Sequence, residues 1–452
     1  MPATNKDGGI AAGDPKISIL FVAFAGSVHT TRWVNQLCPL GWSLHLFPSD
    51  IYPSLHPDFR CVVYHDLEKD RGDSGHGGEP TLGTAPEPLN GFKQRLKQSQ
   101  WMQRGLAKRI LSFYSSARFT WWWRREMPRR AARLARLIER LKPDVVHSLE
   151  IQHAGYLTQM ARGYVKEGFP LWVATNWGAD IHYFGRMPQH AVKIRAVLGA
   201  CDYYSCETQR DVQLARDFGF RGKVLPVLPN TGGFDLAKTE ALRQPGPTSA
   251  RRVVLLKGPQ GWVYRGLVGL QALALCVDVL KGYTVAIYLA APEMVEAAEA
   301  FSRETGLHVE VIPFCSHEDM LRWHGRARVS IGLAISDGIS TSFLEALVMG
   351  SFPVQSHTGG AGDWISDGET GSLVPPEDRI AVSKAIRRAL TDDDLVDHAA
   401  EANRETARKR LDYEQVRSRA IGMYEEVLRS RGGPSHGPKG DTAGGRLFVR
   451  NP

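Results

Sequence analysis

The segment that most limits what this chain can fold into runs from Arg328 to Asp378. Val329 to Ile335 is a short apolar run, β-branched enough to be a buried strand. Ser336-Asp337-Gly338 breaks it, and Ser340-Thr341-Ser342 places hydroxyls where a helix begins. Phe343, Leu344, Leu347 and Val348 give that helix an apolar face, and Gly350 ends it. Phe352 to Gln355 is a second apolar piece, followed by glycines at 359, 360 and 362. Strand, turn, helix, strand and Gly-rich loop follow one another as in an open parallel sheet.

Two acids have fixed places in this frame. Asp337 lies at the carboxyl end of the first strand, where open parallel sheets bind ligands. Glu345 lies in the first turns of the helix. The free N–H groups and positive dipole end of that helix suit a phosphate. Carboxylates there would repel a phosphate, so they are better placed to accept hydrogen bonds from neutral hydroxyls, such as those of a sugar or a ribose. A turn Asp and a helix Glu are each commonplace. Together, ahead of Gly359-Gly360, they point to a site for a nucleotide sugar.

The rest of the chain repeats the alternation. At 452 residues two domains are expected. Lys16 to Phe24, Trp42 to Pro48, Phe59 to His65, Asp144 to Ile151, Leu171 to Gly178, Cys201 to Glu207 and Lys223 to Asn230 read as strands between helical stretches. Residues 16–230 are thus expected to form one α/β domain, 231–250 a linker, and 251–412 a second α/β domain starting at Arg252-Val-Val-Leu-Leu-Lys257. A helix at 413–431 follows. Gly, Pro and charged residues make 1–15 and 432–452 expected disordered ends, and 70–90 an expected mobile loop.

Asp337-x7-Glu345, followed by Ala346, Gly350, Pro353 and Gly359-Gly360, resembles the acid-x7-Glu signature of glycosyltransferase family 4. The resemblance is strong from about Val253 to Tyr424. It implies a retaining enzyme of the GT-B architecture: two Rossmann-like domains facing across a cleft, with a C-terminal helix crossing back to the first domain. It also implies that the first acid contacts donor-sugar hydroxyls or the adjoining loop, and that Glu345 holds the ribose. The family more often has Glu at the first position, so Asp337 keeps the charge and shortens the reach.

Other candidates follow by their place in the pattern. Lys257 and Arg265 flank the loop after the first strand of the second domain, where Gly258 and Gly261 allow close backbone approach. Two cations and a helix N-terminus would stabilise charge growing on a departing diphosphate. The family usually has an Arg ahead of a Lys-Gly pair here, and the order in this chain is inverted. In the first domain, Gly26 and Ser27 follow the first strand, and His29 is either a general base or a helix cap. Asp144-Val-Val-His147 resembles the family's strand ending in His. Many members carry a second His where this chain has Leu149, which leaves Glu150, Gln152 and His153 as substitutes. Trp177-Gly-Ala-Asp180 resembles the family's turn near the acceptor, which makes Asp180 a further catalytic candidate. Ser340, Thr341, Ser342, Gly359 and Gly360 are expected donor contacts.

Composition limits the function classes. Apolar content of 43% and charged content of 23% are those of a soluble globular protein. The six cysteines, none with metal spacing, read as small core residues in a reducing compartment. No apolar stretch approaches a membrane span, so a cytoplasmic location is expected. The net charge of +8 is uneven: residues 93–142 hold 15 Lys and Arg against Glu126 and Glu139, which leaves the remainder at −5. Tryptophans and other aromatics are interleaved there, so 91–142 is expected to meet an anionic membrane surface at its inner face rather than nucleic acid, or to pack on the domain. No metal site is expected, Asp392-Asp-Asp394 reading as a solvated turn, and the resemblance implies no divalent cation. No cofactor is expected beyond the substrate, a GDP- or UDP-type sugar, and the acceptor is a glycan or a lipid-linked molecule. Two other functions stay open: a sugar-nucleotide epimerase, and a membrane-associated nucleotide-sugar-binding protein without turnover.

Overall fold

The computed structural model describes residues 17–50, 54–65 and 125–430. The expected disordered ends, the expected mobile loop and residues 91–124 of the basic region lie outside the described residues.

Two parallel sheets make up the molecule. The first joins β1 (Ser18–Ala23), β2 (Ser43–Pro48), β3 (Val63–Tyr64), β4 (Val145–Leu149), β5 (Leu171–Thr175), β6 (Tyr203–Ser205) and β7 (Lys223–Val224), in the order β3-β2-β1-β4-β5-β6-β7. The second joins β8 (Val253–Lys257), β9 (Thr284–Tyr288), β10 (His308–Val311), β11 (Ala327–Gly332), β12 (Phe352–Ser356) and β13 (Ser372–Val374), in the order β10-β9-β8-β11-β12-β13. The central strands are apolar on both sides because helices cover both faces. Leu20 and Val22 enter one core while Ile19, Phe21 and Ala23 enter another, as a period of two requires. The protein is therefore α/β, with two Rossmann-like domains.

In each sheet the chain winds outward both ways from the middle. The order reverses between β1 and β4 and between β8 and β11. A crevice opens at such a reversal, outside the carboxyl ends of the strands. The two crevices face each other.

The last helix, Tyr413–Arg429, crosses back to the first domain. Ala420, Met423, Tyr424 and Val427 pack in the core with Ile19, Phe21 and Trp33. The two chain crossings between domains run side by side. Phe234 N donates to Leu411 O at 2.7 Å and Tyr413 N to Phe234 O at 3.0 Å. Gly233 is required there, because a Cβ would stand 2.6 Å from Tyr413 Cα.

Three details differ from the sequence reading. Within 231–250 a helix forms, Leu236–Leu242, started by the Asp235 carboxylate accepting from Lys238 N. The apolar run 329–335 leaves the sheet after Gly332, and Ile335 N pairs with Val263 O in the loop after β8. Cys38 and Cys61 are joined in a disulfide, with Cα atoms 5.6 Å apart. The reading of all six cysteines as unpaired core residues is corrected for these two. They are 23 residues apart, and only the turn of the chain through β2 brings them together. Among the described residues, no helix is long and apolar enough to cross a membrane.

Candidate functional site

The β8–β11 crevice is built from short loops. Lys257, the last residue of β8, turns its ammonium to Ser340 Oγ at 3.0 Å and lies 5.0 Å from the centre of the Tyr264 ring. Gly258 follows it where a Cβ would come within 2.7 Å of Ile287. Ser340 is the N-cap of the helix Thr341–Met349, but no side chain caps that helix. The Ser340 hydroxyl instead pairs with Ser342 Oγ at 2.8 Å. The first N–H groups of the helix are thus open to a ligand.

Asp337 stands across the same small cavity, about 30 Å³, together with Lys257, Tyr264, Ser340, Gly359 and Gly360. Its backbone oxygen is fixed by Arg210 Nη2 at 2.8 Å, from the first domain. Gly360 N donates to Gly338 O at 2.7 Å, which ties the Gly-rich loop to the Asp337 turn. Gly360 is also a contact point between domains, since a Cβ would be 2.4 Å from Thr208 Cγ2. Gly178 of the first domain faces Asp337, and a Cβ there would lie 3.1 Å from Oδ1.

Glu345 is set deeper, 6% exposed, one turn along the helix. Its Oε1 lies 2.9 Å from His317 Nε2, and its Oε2 lies 3.5 Å from His324 Nε2. Burial alone would raise this carboxyl, but the two histidines outweigh burial and bring it down to about 2. Glu345 is therefore ionised throughout the physiological range.

The facing edge of the first domain is different. Ser27 caps the helix Val28–Asn35, accepting from His29 N at 3.2 Å, and Gly26 lies against Ser54. The His29 Nδ1 is buried without a hydrogen-bond partner, and the ring meets Trp177 edge-on at 5.9 Å. Burial pushes this imidazole down, Arg32 and Lys257 add to the push and Glu345 opposes it, leaving it at about 4. His29 is thus neutral at pH 7 and too weak a base for efficient proton abstraction there. Arg32, one turn along, is half-buried; burial lowers it, while Glu345 and Asp58 pull the other way. The field of Glu345 thus reaches two side chains across the cleft.

Of the expected residues that do not line the cavity, four have partners that explain why. His147 is fully buried, with Nδ1 2.7 Å from Tyr424 Oη and Nε2 2.7 Å from Thr175 Oγ1. Burial drives it down to about 3, so it is a neutral core group with both ring nitrogens engaged. Asp180, expected to be catalytic, is buried and accepts from Trp177 N at 2.7 Å and Ile151 N at 2.9 Å. Burial first, then Glu150, raises it well above the usual carboxylate range. Glu150 is buried at φ 89°, where it caps the turn 151–155 by accepting from the backbone of His153 and Ala154. Arg265 turns to Glu377 at 2.9 Å and to Gly261 O at 3.0 Å, and it does not line the cavity.

Sequence reasoning missed the residues that join the domains. Arg210 donates to both Thr358 O and Asp337 O, and His182 Nδ1 lies 2.9 Å from Ser336 Oγ. Glu207 accepts from Asn230 N at 2.8 Å and from Ile339 N at 3.4 Å, against Gly338. Burial pushes Glu207 up, the Asn230 N–H pulls it down and Asp337 pushes it up again, to about 8. Arg32 carried one faint signal, an Arg one turn past a small-residue loop at a strand end. Arg210 and Glu207 carried none, because their partners in the second domain are more than a hundred residues away.

Two families match by sequence. A model described as "Glycosyl transferases group 1" matches residues 291–406, and one described as "Glycosyl transferase 4-like" matches residues 115–203. No curated protein matches the chain significantly. Among solved structures, sucrose-phosphate synthase from Thermosynechococcus elongatus is 15% identical with a TM-score of 0.61, over 92% of this chain and 100% of that one. Anabaena HepE, solved with UDP and glucose, is 15% identical with a TM-score of 0.61, over 91% and 100%. A glycosyltransferase from Rickettsia africae is 13% identical with a TM-score of 0.59, over 92% and 99%. At these identities the likeness is one of fold, the GT-B architecture.

Proposed function

We propose that this protein, in which a segment of each half matches a glycosyl transferase model, moves a sugar from a nucleotide-diphosphate sugar to a hydroxyl of a glycan or lipid-linked acceptor. One observation carries the reading. Lys257, an uncapped helix N-terminus and Asp337 line a single cavity at the β8–β11 crevice of the second domain, with ionised Glu345 one turn further on. Cation and helix end suit a diphosphate, and the two carboxylates suit hydroxyls at either side of it.

In this scheme Lys257 and the N–H groups at Thr341 and Ser342 meet the β-phosphate as it departs. Asp337 orients the sugar, and Glu345 takes the ribose hydroxyls, held in place by His317 and His324. Arg32 supplies the second cation from across the cleft, where the sequence had pointed to Arg265. No metal is needed to neutralise the leaving group when two cations and a helix end face it. The acceptor attacks from the face the diphosphate leaves, so the anomeric configuration is retained without a protein nucleophile. HepE was solved with UDP, which makes a UDP-sugar the first donor to test. A cavity of about 30 Å³ is far below the several hundred of a ligand pocket, so donor entry in this scheme needs the loops around it, and the Arg210 contacts that tie two of them to the first domain, to open.

An acceptor on a membrane would suit cell-envelope polysaccharide or glycolipid synthesis. The helix over 125–141 supports such peripheral contact: Met127, Leu134 and Ile138 are buried, while Arg129, Arg136 and Arg140 are exposed.

Purified protein given UDP- and GDP-sugars, with and without membrane extract, tests the proposal. Release of the nucleoside diphosphate with an acceptor product of unchanged anomeric configuration by NMR is expected. Release of an altered nucleotide sugar would make it an epimerase. Tight donor binding with no turnover would make it a binding protein.

A further inference from the structure

A second pocket, of about 230 Å³, lies at the other end of the helix whose N-terminus faces the cleft. Leu236, Thr239, Glu240 and Arg243 line it at helical spacing from one side. Arg404, Ala407 and Arg408 do so from the helix Asp393–Arg410, with Val348 between them.

Each of the three arginines has one carboxylate at 3.2 Å, Glu240 for Arg243, Glu401 for Arg404 and Glu405 for Arg408, yet Arg243 and Arg404 keep buried donors unmet. The Arg243 side chain is 7% exposed, and its Nη2 donates to Val348 O at 2.6 Å. Its Nε and Nη1 have no hydrogen-bond partner; Glu240 Oε2 approaches Nη1 to 3.2 Å without the alignment of one. The Arg404 Nε is also buried without a partner. A fourth guanidinium, Arg251, donates to Met349 O behind them, and both it and Arg243 lie beside Gly350. Carbonyls at the end of the helix Thr341–Met349 take part of this charge. The neighbouring carboxylates, Glu240, Glu401 and Glu405, are all substantially exposed. Burial, followed by the field of Arg404, holds Arg243 below the usual guanidinium range. Buried N–H donors without acceptors cost stability until something fills them.

We propose that this pocket binds the phosphate group of a small phosphate-bearing molecule, with Arg404 and Arg408 closing on it from one helix and Arg243 from the other. Planar guanidinium donors match phosphate oxygens. The pocket has room beside the phosphate for a sugar-sized group, and Glu240 on its rim accepts from hydroxyls. This site is separate from the cleft and does not depend on the proposed transfer reaction.

Isothermal titration of the full chain at fixed ionic strength tests it, with glucose 6-phosphate, inorganic phosphate and glucose as probes. Both phosphate compounds are expected to bind and glucose is not. Equal affinities would identify free phosphate as the source, and tighter glucose 6-phosphate would identify the ester; either result carries the proposal. The double variant Arg404→Ala/Arg408→Ala should bind about tenfold more weakly or worse. Lys257→Ala should bind as the parent does, which excludes occupancy of the cleft. Arg408→Glu, whose side chain reaches solvent, serves if the double variant melts early. No binding of either phosphate compound at millimolar concentration would overturn the proposal. So would parental affinity in the arginine variants, or loss of binding in Lys257→Ala.

Discussion

The two crevices that face each other across this molecule share a topology and use their polar groups in opposite ways. At the β8–β11 crevice, Lys257, Asp337 and the start of the helix Thr341–Met349 point into a common cavity. At the β1–β4 crevice, His147, Glu150 and Asp180 spend their hydrogen bonds on the protein's own backbone and core. Position at the carboxyl end of a strand therefore does not identify a working group. What distinguishes the two edges is whether the local backbone already consumes the side chain.

The largest expected effect follows from the open edge. Lys257→Ala should cut turnover by about 10²–10³-fold, the typical loss when one fixed stabiliser of developing charge is removed. Single-turnover kinetics on folded protein would measure it. A loss below about threefold would remove Lys257 from the leaving-group site and erase the contrast between the edges.

The second effect concerns the contact between the domains. Glu207 titrates near 8 in the folded protein, above the ordinary 4.5 of the unfolded chain. A raised carboxyl contributes stability that is fully present below pH 4.5 and lost as pH rises through about 8. Over that window the cost at this buried site is on the order of 5 kcal/mol at most. Glu207→Gln should flatten the fall in melting temperature between pH 5 and 9, while the parent declines. Parallel profiles would mean that Glu207 is ionised against Gly338 at neutral pH.

A smaller effect tests the consumed edge. Asp180→Ala strands the N–H groups of Ile151 and Trp177, at about 1–3 kcal/mol of stability. Asp180→Asn keeps an acceptor oxygen and should recover most of it. Neither should change the donor KM. A large rise in KM with normal stability would return Asp180 to the site.

These cases show what could be read in advance. The double alternation of apolar runs and helices was legible because each strand carries its own pattern, as in Val329 to Ile331 or Val253 to Leu256. Lys257, Asp337, Ser340 and Gly360 were legible because each lies within a few residues of a strand end or a helix start that its own local pattern shows. The fate of Asp180 was not, because it depends on Ile151 in another loop. The same holds for Arg210, whose acceptors in the second domain lie 127 and 148 residues away. Cys38 and Cys61 were misread for that reason too, since pairing is decided by where β2 sends the chain.

Arg32 is where the contrast between the edges breaks down, and it gives the finest test. Most polar groups of the first domain's edge are consumed, but this guanidinium is half-buried and has no hydrogen bond or ion pair within the described residues. It also lies in the field of Glu345. Arg265, by comparison, is held by Glu377 and two carbonyls. If the departing diphosphate needs a second cation, Arg32 can supply it only when the domains close, whereas Arg265 would have to break three contacts first. Arg32→Ala should therefore lower kcat about tenfold with little change in KM, because the interaction is made in the closed state. Arg265→Ala should leave kcat within about twofold and act through the loop's stability. The reverse result, a kcat loss in Arg265→Ala with Arg32→Ala unaffected, would mean that donor binding rearranges the loop after β8 and that the second cation comes from the same domain as the first.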